Sequence, residues 1–120
     1  MGLVYLHLVD YSSTGAPPVP AAFKHALRTA FARTFIASGG LDAARAEAIL
    51  GAGEGELVAF GRPALANPDL VARFRQNAPL NPPDFATFYT PGAKGYTDYP
   101  TWDESFDRNG AAIVANTIKN

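Results

Sequence analysis

The order of apolar and polar positions along the chain predicts strands that alternate with helices. Residues 3–9 form a near-continuous apolar run of strand length, which is typical of a strand buried on both faces of a parallel sheet. After a loop rich in Ser, Gly and Pro, an apolar stripe recurs at helical spacing through Phe23, Leu27 and Phe31. Pro20 stands where it can occupy the first position of that helix. The pattern therefore opens with a strand, a loop and a helix.

Two further strands and a second helix follow with short connections. Residues 34–37 predict a second strand, and Asp42 is placed to cap a helix over residues 43–50. The glycine-rich stretch 51–55 ends that helix. Although its glycines superficially resemble a dinucleotide-binding loop, a helix precedes them and a strand follows, which is the reverse of that motif. Residues 57–60 form the third predicted strand.

A third helix is predicted after the third strand. Asn67 is expected to cap it and Pro68 to take its first turn. Leu70, Val71 and Phe74 would form its apolar stripe. The resulting order, β-α-β-α-β-α with short connections, is typical of a parallel α/β sheet. Three parallel strands leave two open edges, so the pattern indicates a piece of a larger sheet.

The chain changes character at Pro79. Prolines recur from there on and exclude a long helix, so residues 79–102 are interpreted as an extended, aromatic and proline-rich closing segment after a first region of residues 1–78. Residues 103–120 form a tail of unknown role, in which residues 111–115 suit a short helix. The aromatic side chains of the closing segment either staple it to the domain surface or line a pocket for a flat ligand; they are Phe85, Phe88, Tyr89, Tyr96, Tyr99 and Trp102.

Composition narrows the class of protein. The 120 residues are 48% hydrophobic with a net charge of −1, which argues against disorder and gives no electrostatic reason to bind nucleic acid or an anionic membrane. The absence of cysteine excludes disulfides and thiolate chemistry. The apolar run near Met1 has no basic flank and is too short to span a bilayer. A soluble cytoplasmic protein without signal peptide or membrane segment is expected.

Candidate chemistry is concentrated where two predicted strands end. Gly39 and Gly40 follow the second strand, and Gly61 and Arg62 follow the third. Ligands of α/β folds bind at the carboxyl ends of parallel strands, and loops there commonly bind phosphate. Glycine allows a close approach of backbone N–H groups to an oxyanion, and arginine offers a bidentate charge. Tight turns beside a surface arginine would give the same pattern, and both interpretations stay open from spacing alone.

Catalytic and metal-binding patterns do not emerge from the remaining polar residues. His7 and His25 are the two histidines, and neither has a serine–carboxylate or metal-ligand partner at a recognisable spacing. A structural or surface role is the expected one for both. The acidic residues are scattered and form no carboxylate pair. The sequence therefore predicts no catalytic residue and no metal site.

Several motifs together resemble the Old Yellow Enzyme family. Residues 5–9 followed by Ser-Ser-Thr-Gly-Ala-Pro at 12–17 look like strand six and its loop, and residues 35–40 look like strand seven. Residues 58–63 with 66–71 resemble strand eight and its helix. The closing segment of the family is matched by three further stretches, residues 79–81, 87–89 and 95–100. The resemblance identifies the chain as the C-terminal β-α units, strands six to eight, of a (β/α)8 TIM barrel.

The resemblance implies an FMN-dependent ene-reductase. In this family hydride from NADPH or NADH passes through FMN to an activated alkene, or to a nitro compound in some bacterial members. It further implies that Gly39, Gly40, Gly61 and Arg62 hold the FMN phosphate, and that Tyr89, with Phe88 beside it, contributes to the flavin and substrate pocket. The family's substrate-anchoring pair and its proton-donating tyrosine belong to strands one to five, which have no counterpart here.

Three hypotheses follow from this departure. The chain is a fragment or one half of a split ene-reductase, a non-catalytic flavin- or phosphate-binding module, or an inactive remnant. A whole barrel needs roughly 200 residues or more, so the chain alone is expected to lack turnover. Its partners would be FMN and either a chain that supplies the missing strands or further copies that associate through the sheet edges.

Overall fold

The computed structural model describes residues 2–105, except for the side chains of Glu104 and Ser105. The helix expected at residues 111–115 lies outside the described residues. The chain divides into two compact units, Met1–Phe60 and Gly61–Asn120, and each is described by itself.

The first unit is a three-stranded parallel sheet with two connecting helices. Its elements in chain order are β1 (Tyr5–Leu8), α1 (Ala21–Ala30), β2 (Thr34–Ser38), α2 (Ala43–Gly51) and β3 (Leu57–Ala59). The strands lie in the order β1-β2-β3. Both neighbouring pairs are parallel, which confirms the predicted α/β arrangement. The strands begin and end within two residues of the predicted bounds.

The two faces of this sheet are covered to very different extents. Phe35 on the central strand is 2% exposed, and its neighbour in β1 is Leu6. The opposite face, which carries Tyr5 and Leu57, leaves each of those side chains more than half exposed. The expectation that the first strand is buried on both faces is therefore wrong for β1 in this chain. Neither β1 nor β3 has a second neighbouring strand in the described residues, so both edges of the sheet are open there.

The helix boundaries follow from local chemistry. Asp42 caps α2 as predicted, because its Oδ1 accepts a hydrogen bond from the Arg45 N–H at 2.8 Å. Pro20 stands at the N-cap of α1, one position before the expected first turn. It has no N–H to satisfy, and its carbonyl accepts from the N–H groups of Phe23 and Lys24.

An arginine ties the amino-terminal ends of β2 and β3 to α1. Arg28 donates to the carbonyl oxygens of Phe31 and Gly53 and forms an ion pair with Glu56. The second carboxylate oxygen of Glu56 accepts the N–H of Phe35 at 2.7 Å. This network lies at the end of the sheet opposite to the predicted phosphate loops, and its role is structural.

The second unit contains short helices and extended segments, with no strand in its described part. Its helices are α3 (Arg62–Ala66), α4 (Leu70–Gln76) and α5 (Trp102–Ser105), and a 3-10 turn covers Phe85–Thr87. The loop-rich character expected from Pro79 onward is present. None of the helices within residues 2–105 has the length and apolar character needed to cross a membrane.

The predicted start of the third helix is wrong. Asn67 follows the end of α3 instead of capping α4, and Asp69 occupies the N-cap position of α4 without a side-chain cap. The Asn67 side chain does not cap α4 because its amide donates to the Pro63 carbonyl at 2.9 Å. Its Oδ1 also accepts the N–H of Asn81 at 2.7 Å. Of the expected apolar stripe, Leu70 is buried, Phe74 is half-buried, and Val71 is 62% exposed.

Candidate functional site

The carboxyl end of β2 carries two glycines that no other residue type could replace without movement. Gly39 and Gly40 have φ values of 121° and 60°, in the region that side chains disfavour. A Cβ atom on Gly39 would lie 2.6 Å from the Cβ of Asp10, and one on Gly40 would lie 2.4 Å from the Cβ of Ser13. The loop after β2 is thus pressed against the loop after β1.

A buried carboxylate anchors the loop after β1. Asp10 is 6% exposed, accepts the Ser12 N–H at 2.8 Å and forms an ion pair with Lys24 of α1. The hydrogen bonds from the Lys24 ammonium and then from the Ser12 N–H lower the pKa of Asp10 to about 2. Asp10 is therefore ionised at neutral pH, and Lys24 compensates its charge beside the glycine loop.

Gly61 and Arg62 stand at the beginning of the second unit. Gly61 occupies the N-cap position of α3 with φ −85°, and a Cβ there would meet nothing within 4 Å. Neither sterics nor backbone geometry therefore requires this glycine. The Arg62 guanidinium carbon lies 5.8 Å from the ring centre of Phe85, and within residues 2–103 no carboxylate forms an ion pair with it. In that part of the chain, the contact described for the Arg62 charge is this aromatic ring.

The two groups of predicted phosphate ligands thus fall in separate units. Gly39 and Gly40 lie next to each other after β2, and Gly61 and Arg62 lie next to each other two residues after the end of β3. Because β2 and β3 are parallel neighbours, their carboxyl ends belong to the same edge of the sheet.

The predicted substrate-binding residues Phe88 and Tyr89 lie in a row of contacting aromatic rings in the closing segment. The ring centres of Phe85 and Phe88 are 5.0 Å apart, and Phe88 meets Tyr89 edge-on at 6.4 Å. The Tyr89 side chain is 97% exposed, so within the second unit it does not staple the segment to a surface. Tyr89 also has a positive φ of 59°, which is uncommon for a bulky residue.

A buried polar cluster, which the sequence patterns did not reveal, fixes the base of the closing segment. Arg73 is 2% exposed and donates to Asp69 at 2.8 Å, to the Pro79 carbonyl at 2.7 Å and to the Pro100 carbonyl at 2.9 Å. The second Asp69 oxygen accepts the Trp102 N–H at 2.7 Å. Burial alone would raise the pKa of Asp69, but the hydrogen bonds from Arg73 and the Trp102 backbone outweigh it and lower the pKa. The i,i+4 spacing of Asp69 and Arg73 is the one signal in the sequence that could have indicated this pair.

A cavity of about 670 Å³ lies on the helix-covered side of the first unit. Sheet residues such as Phe35 and Ala37 line it together with Lys24, His25 and Arg28 of α1. Lys24 and Arg28 are both engaged in the ion pairs described above, so these two cations are already compensated. His25 is exposed, and the described residues contain no group of three or more His, Cys, Asp or Glu that could hold a metal ion.

Comparison with known proteins decides the family. The model of the NADH:flavin oxidoreductase / NADH oxidase family matches residues 3–81. The chain belongs to this family. The resemblance to the Old Yellow Enzyme family is thereby confirmed, because the relatives that this chain matches are reductases of the Old Yellow Enzyme family.

Individual relatives agree with that assignment. Arabidopsis thaliana 12-oxophytodienoate reductase 2 is 40% identical over 87% of the chain and 29% of its own length. Morphinone reductase, a solved structure, superposes with a TM-score of 0.75 at 44% identity over 91% of the chain and 29% of its own. Morphinone reductase in complex with tetrahydroNAD gives a TM-score of 0.73 at 46% identity, over 89% of the chain and 28% of its own. The chain spans between 20% and 35% of the length of the curated relatives that it matches.

Proposed function

We propose that the chain supplies the FMN-phosphate site and the aromatic closing segment of an FMN-dependent ene-reductase. In this proposal β1, β2 and β3 are strands six, seven and eight of a (β/α)8 barrel. The observation that carries it is the pair of positive-φ glycines at the carboxyl end of the central parallel strand, within the region that matches the flavin oxidoreductase family. Ligand sites of barrel enzymes lie at that end of the strands.

The residues present fit a phosphate group. Gly39 and Gly40 have no side chain to keep an oxyanion away from the backbone, and Arg62 has a guanidinium without a carboxylate partner in the described residues. The nearby negative charge of Asp10 is compensated by Lys24, so it does not oppose an anion as a free carboxylate would. We infer that the backbones of Gly39, Gly40, Gly61 and Arg62 hold the phosphate and that the Arg62 side chain supplies the charge.

Each part of the chain then has a separate task. Bound FMN would accept hydride from NADPH or NADH and deliver it to an activated alkene or nitro compound. Arg62 and the glycines would hold the phosphate end of the bound group. Tyr89 and Phe88 present aromatic surface against which a planar substrate can stack. Neither histidine has a serine or carboxylate partner at a recognisable spacing in the sequence, so substrate anchoring and proton donation are assigned to the remaining strands.

The proposal therefore requires additional strands. The exposed face of the sheet, with Tyr5 and Leu57, corresponds to the interior of a barrel in this arrangement. Its natural cover is a polypeptide that contributes strands one to five, and self-association through the edges of β1 and β3 is the other route to cover it. Location in the cytoplasm and the choice between NADPH and NADH stay predictions.

A non-catalytic flavin- or phosphate-binding module is the second candidate. It is favoured by the histidines, which have no catalytic partner at a recognisable spacing in the sequence. The two candidates differ in a simple observation: both give a yellow protein, whereas only the reductase oxidises NADPH with cyclohexenone once the remaining strands are present. An inactive remnant would be colourless after purification with excess FMN.

The test of the phosphate site is flavin titration of the assembled protein. Arg62→Ala is expected to weaken FMN binding by about 1.5–3 kcal/mol, which is typical of a charged hydrogen bond. Arg75→Ala is the matched control, since Arg75 is an exposed arginine of the same unit and should leave affinity unchanged. Equal affinities of the wild type and the Arg62 variant would refute the assignment.

A further inference from the structure

Both ends of the closing segment are fixed at one point. Arg73 donates to the carbonyl of Pro79, the first residue of the segment, and to that of Pro100 near its end. Asn81 reinforces this base, because its Nδ2 donates to the Pro100 carbonyl at 2.8 Å and to the Ala66 carbonyl at 2.9 Å. Residues 82–99 are thus a loop whose two ends are held together, as in compact Ω-loops.

The interior of this loop is held by hydrogen bonds and one tight contact. Gly95 has φ 78°, and a Cβ there would lie 1.9 Å from the Thr87 hydroxyl oxygen. The Gly95 N–H donates to Asp98 at 2.7 Å. Near the base, the Asp84 N–H donates to the Tyr99 hydroxyl oxygen at 2.7 Å. The loop therefore has a defined shape that does not rely on a hydrophobic core.

Tyr89 stands out within this loop because strain and exposure coincide. Its φ of 59° is left-handed, and its side chain is 97% exposed, so burial does not compensate for the strained backbone. The Tyr89 N–H donates to the hydroxyl oxygen of Tyr96 at 2.7 Å. Backbone strain of this kind persists only where surrounding contacts impose it. Here the Tyr89 N–H is hydrogen-bonded to the Tyr96 side chain.

We propose that Tyr96 is a positioning residue whose hydroxyl holds Tyr89 in the left-handed conformation and thereby presents the Tyr89 ring to the substrate. Without that bond the Tyr89 backbone relaxes toward negative φ, and the ring changes direction. This inference rests on the proposed function in one respect only, namely that Tyr89 faces the substrate. The hydrogen bond and the conformation are properties of the loop itself.

Tyrosine-selective NMR of the full chain, in its folded assembled state, tests the conformational part. In the wild type the Tyr89 amide should exchange slowly despite its exposed side chain. Tyr96→Phe keeps the ring and removes the acceptor, so Tyr89 exchange should accelerate about two- to tenfold, as expected for one neutral hydrogen bond, and its backbone carbon shifts should move. Tyr99→Phe is the matched control, since it removes an equal 2.7 Å bond elsewhere in the loop and should leave Tyr89 unchanged.

Two outcomes of this experiment overturn the proposal. One is a Tyr89 amide that exchanges freely in the wild type, which needs no variant and so does not depend on whether the Phe variant folds. The other is an equal response of Tyr89 to the Tyr96 and Tyr99 substitutions, which would mean that the loop loosens as a whole. A chain that fails to bind FMN would refute the proposed function but leave this measurement readable.

The kinetic part separates positioning from a merely structural role. In the protein assembled with the remaining strands, Tyr96→Phe should raise the KM for cyclohexenone about two- to tenfold, with kcat and bound FMN nearly unchanged. Tyr99→Phe should leave the KM as in the wild type. A parallel loss of FMN, kcat and thermal stability in the Tyr96 variant would assign it a structural role and contradict the proposal.

Discussion

The two units of the chain are stabilised in opposite ways. The first unit has a regular sheet but buries little of it: Phe35 and Ala46 are its buried apolar side chains, whereas Leu3, Val4 and Val9 are at least half exposed. The described part of the second unit has no regular sheet, yet three of its buried side chains are polar: Asn67, Arg73 and Thr87. Every buried side-chain nitrogen and oxygen in residues 2–103 has a hydrogen-bond partner.

The contrast shows which part needs a neighbour. A parallel sheet with two open edges and an exposed apolar face is completed by additional strands. A loop closed by side-chain to backbone hydrogen bonds carries its own shape, and a loop of that kind can present functional side chains. We therefore expect the first unit to depend on assembly, whereas the aromatic loop of the second unit is held by its own hydrogen bonds.

The largest effect is expected from removing the buried guanidinium. Arg73→Met removes the donor of the Pro79 carbonyl and one of the two donors of Asp69 and of the Pro100 carbonyl, which should cost about 3–5 kcal/mol, as for a broken buried pair. Urea unfolding measures the change, with the exposed Arg75→Met as control. A loss below about 1 kcal/mol would mean that the polar cluster does not stabilise the second unit.

A smaller effect is expected where the loop is tight. Gly95→Ala places a methyl group against Thr87 at a positive φ, whereas Gly92→Ala has a similar φ of 99° and nothing within 4 Å. Both carry the backbone penalty, so their difference isolates the steric one, about 1–3 kcal/mol as in overpacked sites. Thermal unfolding of the two variants measures it. Equal melting temperatures would contradict the described contact between residues 87 and 95.

The smallest effect concerns acid stability of the first unit. The pKa of Asp10 is lowered from 3.8 to about 2 in the folded state, so the carboxylate contributes stability above pH 3.8, and this contribution is lost as the pH falls through about 2. We expect about 1 kcal/mol, since the Lys24 side chain is 42% exposed and partly screened. The unfolding midpoint, measured as the pH is lowered, should change less in Asp10→Asn than in the wild type. Identical dependences of the midpoint on pH would contradict the assignment.

Local patterns predicted the first unit well and the second poorly, for a physical reason. Strand and helix periodicity and the Asp42 cap are properties of neighbouring residues, and they are present as expected. The position of the Asn67 side chain depends on a distant contact, because its amide oxygen accepts a hydrogen bond from the N–H of Asn81, 14 residues away. The bond between Arg73 and the Pro100 carbonyl spans 27 residues. Such contacts are set by the folded chain path, so capping rules misplaced Asn67 and gave no indication of the polar cluster.

The candidate site divides in the same way. Strand ends and glycines predicted which loops would bind phosphate, since the position after a parallel strand is readable from local patterns, and this assignment stays a prediction. The aromatic residues at 88 and 89 were assigned by family resemblance. Neither pattern nor resemblance indicated the left-handed backbone of Tyr89 or its bond to Tyr96, because a hydroxyl seven residues away imposes them.

The central claim is that the chain is an FMN-binding part of a barrel that needs further strands. Sedimentation velocity tests it most directly. It is recorded at both the protein and the flavin absorbance with FMN in excess. The measurement is made with and without a co-expressed polypeptide that supplies strands one to five. The account predicts that the flavin signal sediments with an assembled species larger than a single chain, and that Arg62→Ala lowers the amount of flavin that sediments with this species without changing its size. A compact, colourless monomer with one sharp, concentration-independent unfolding transition would contradict it.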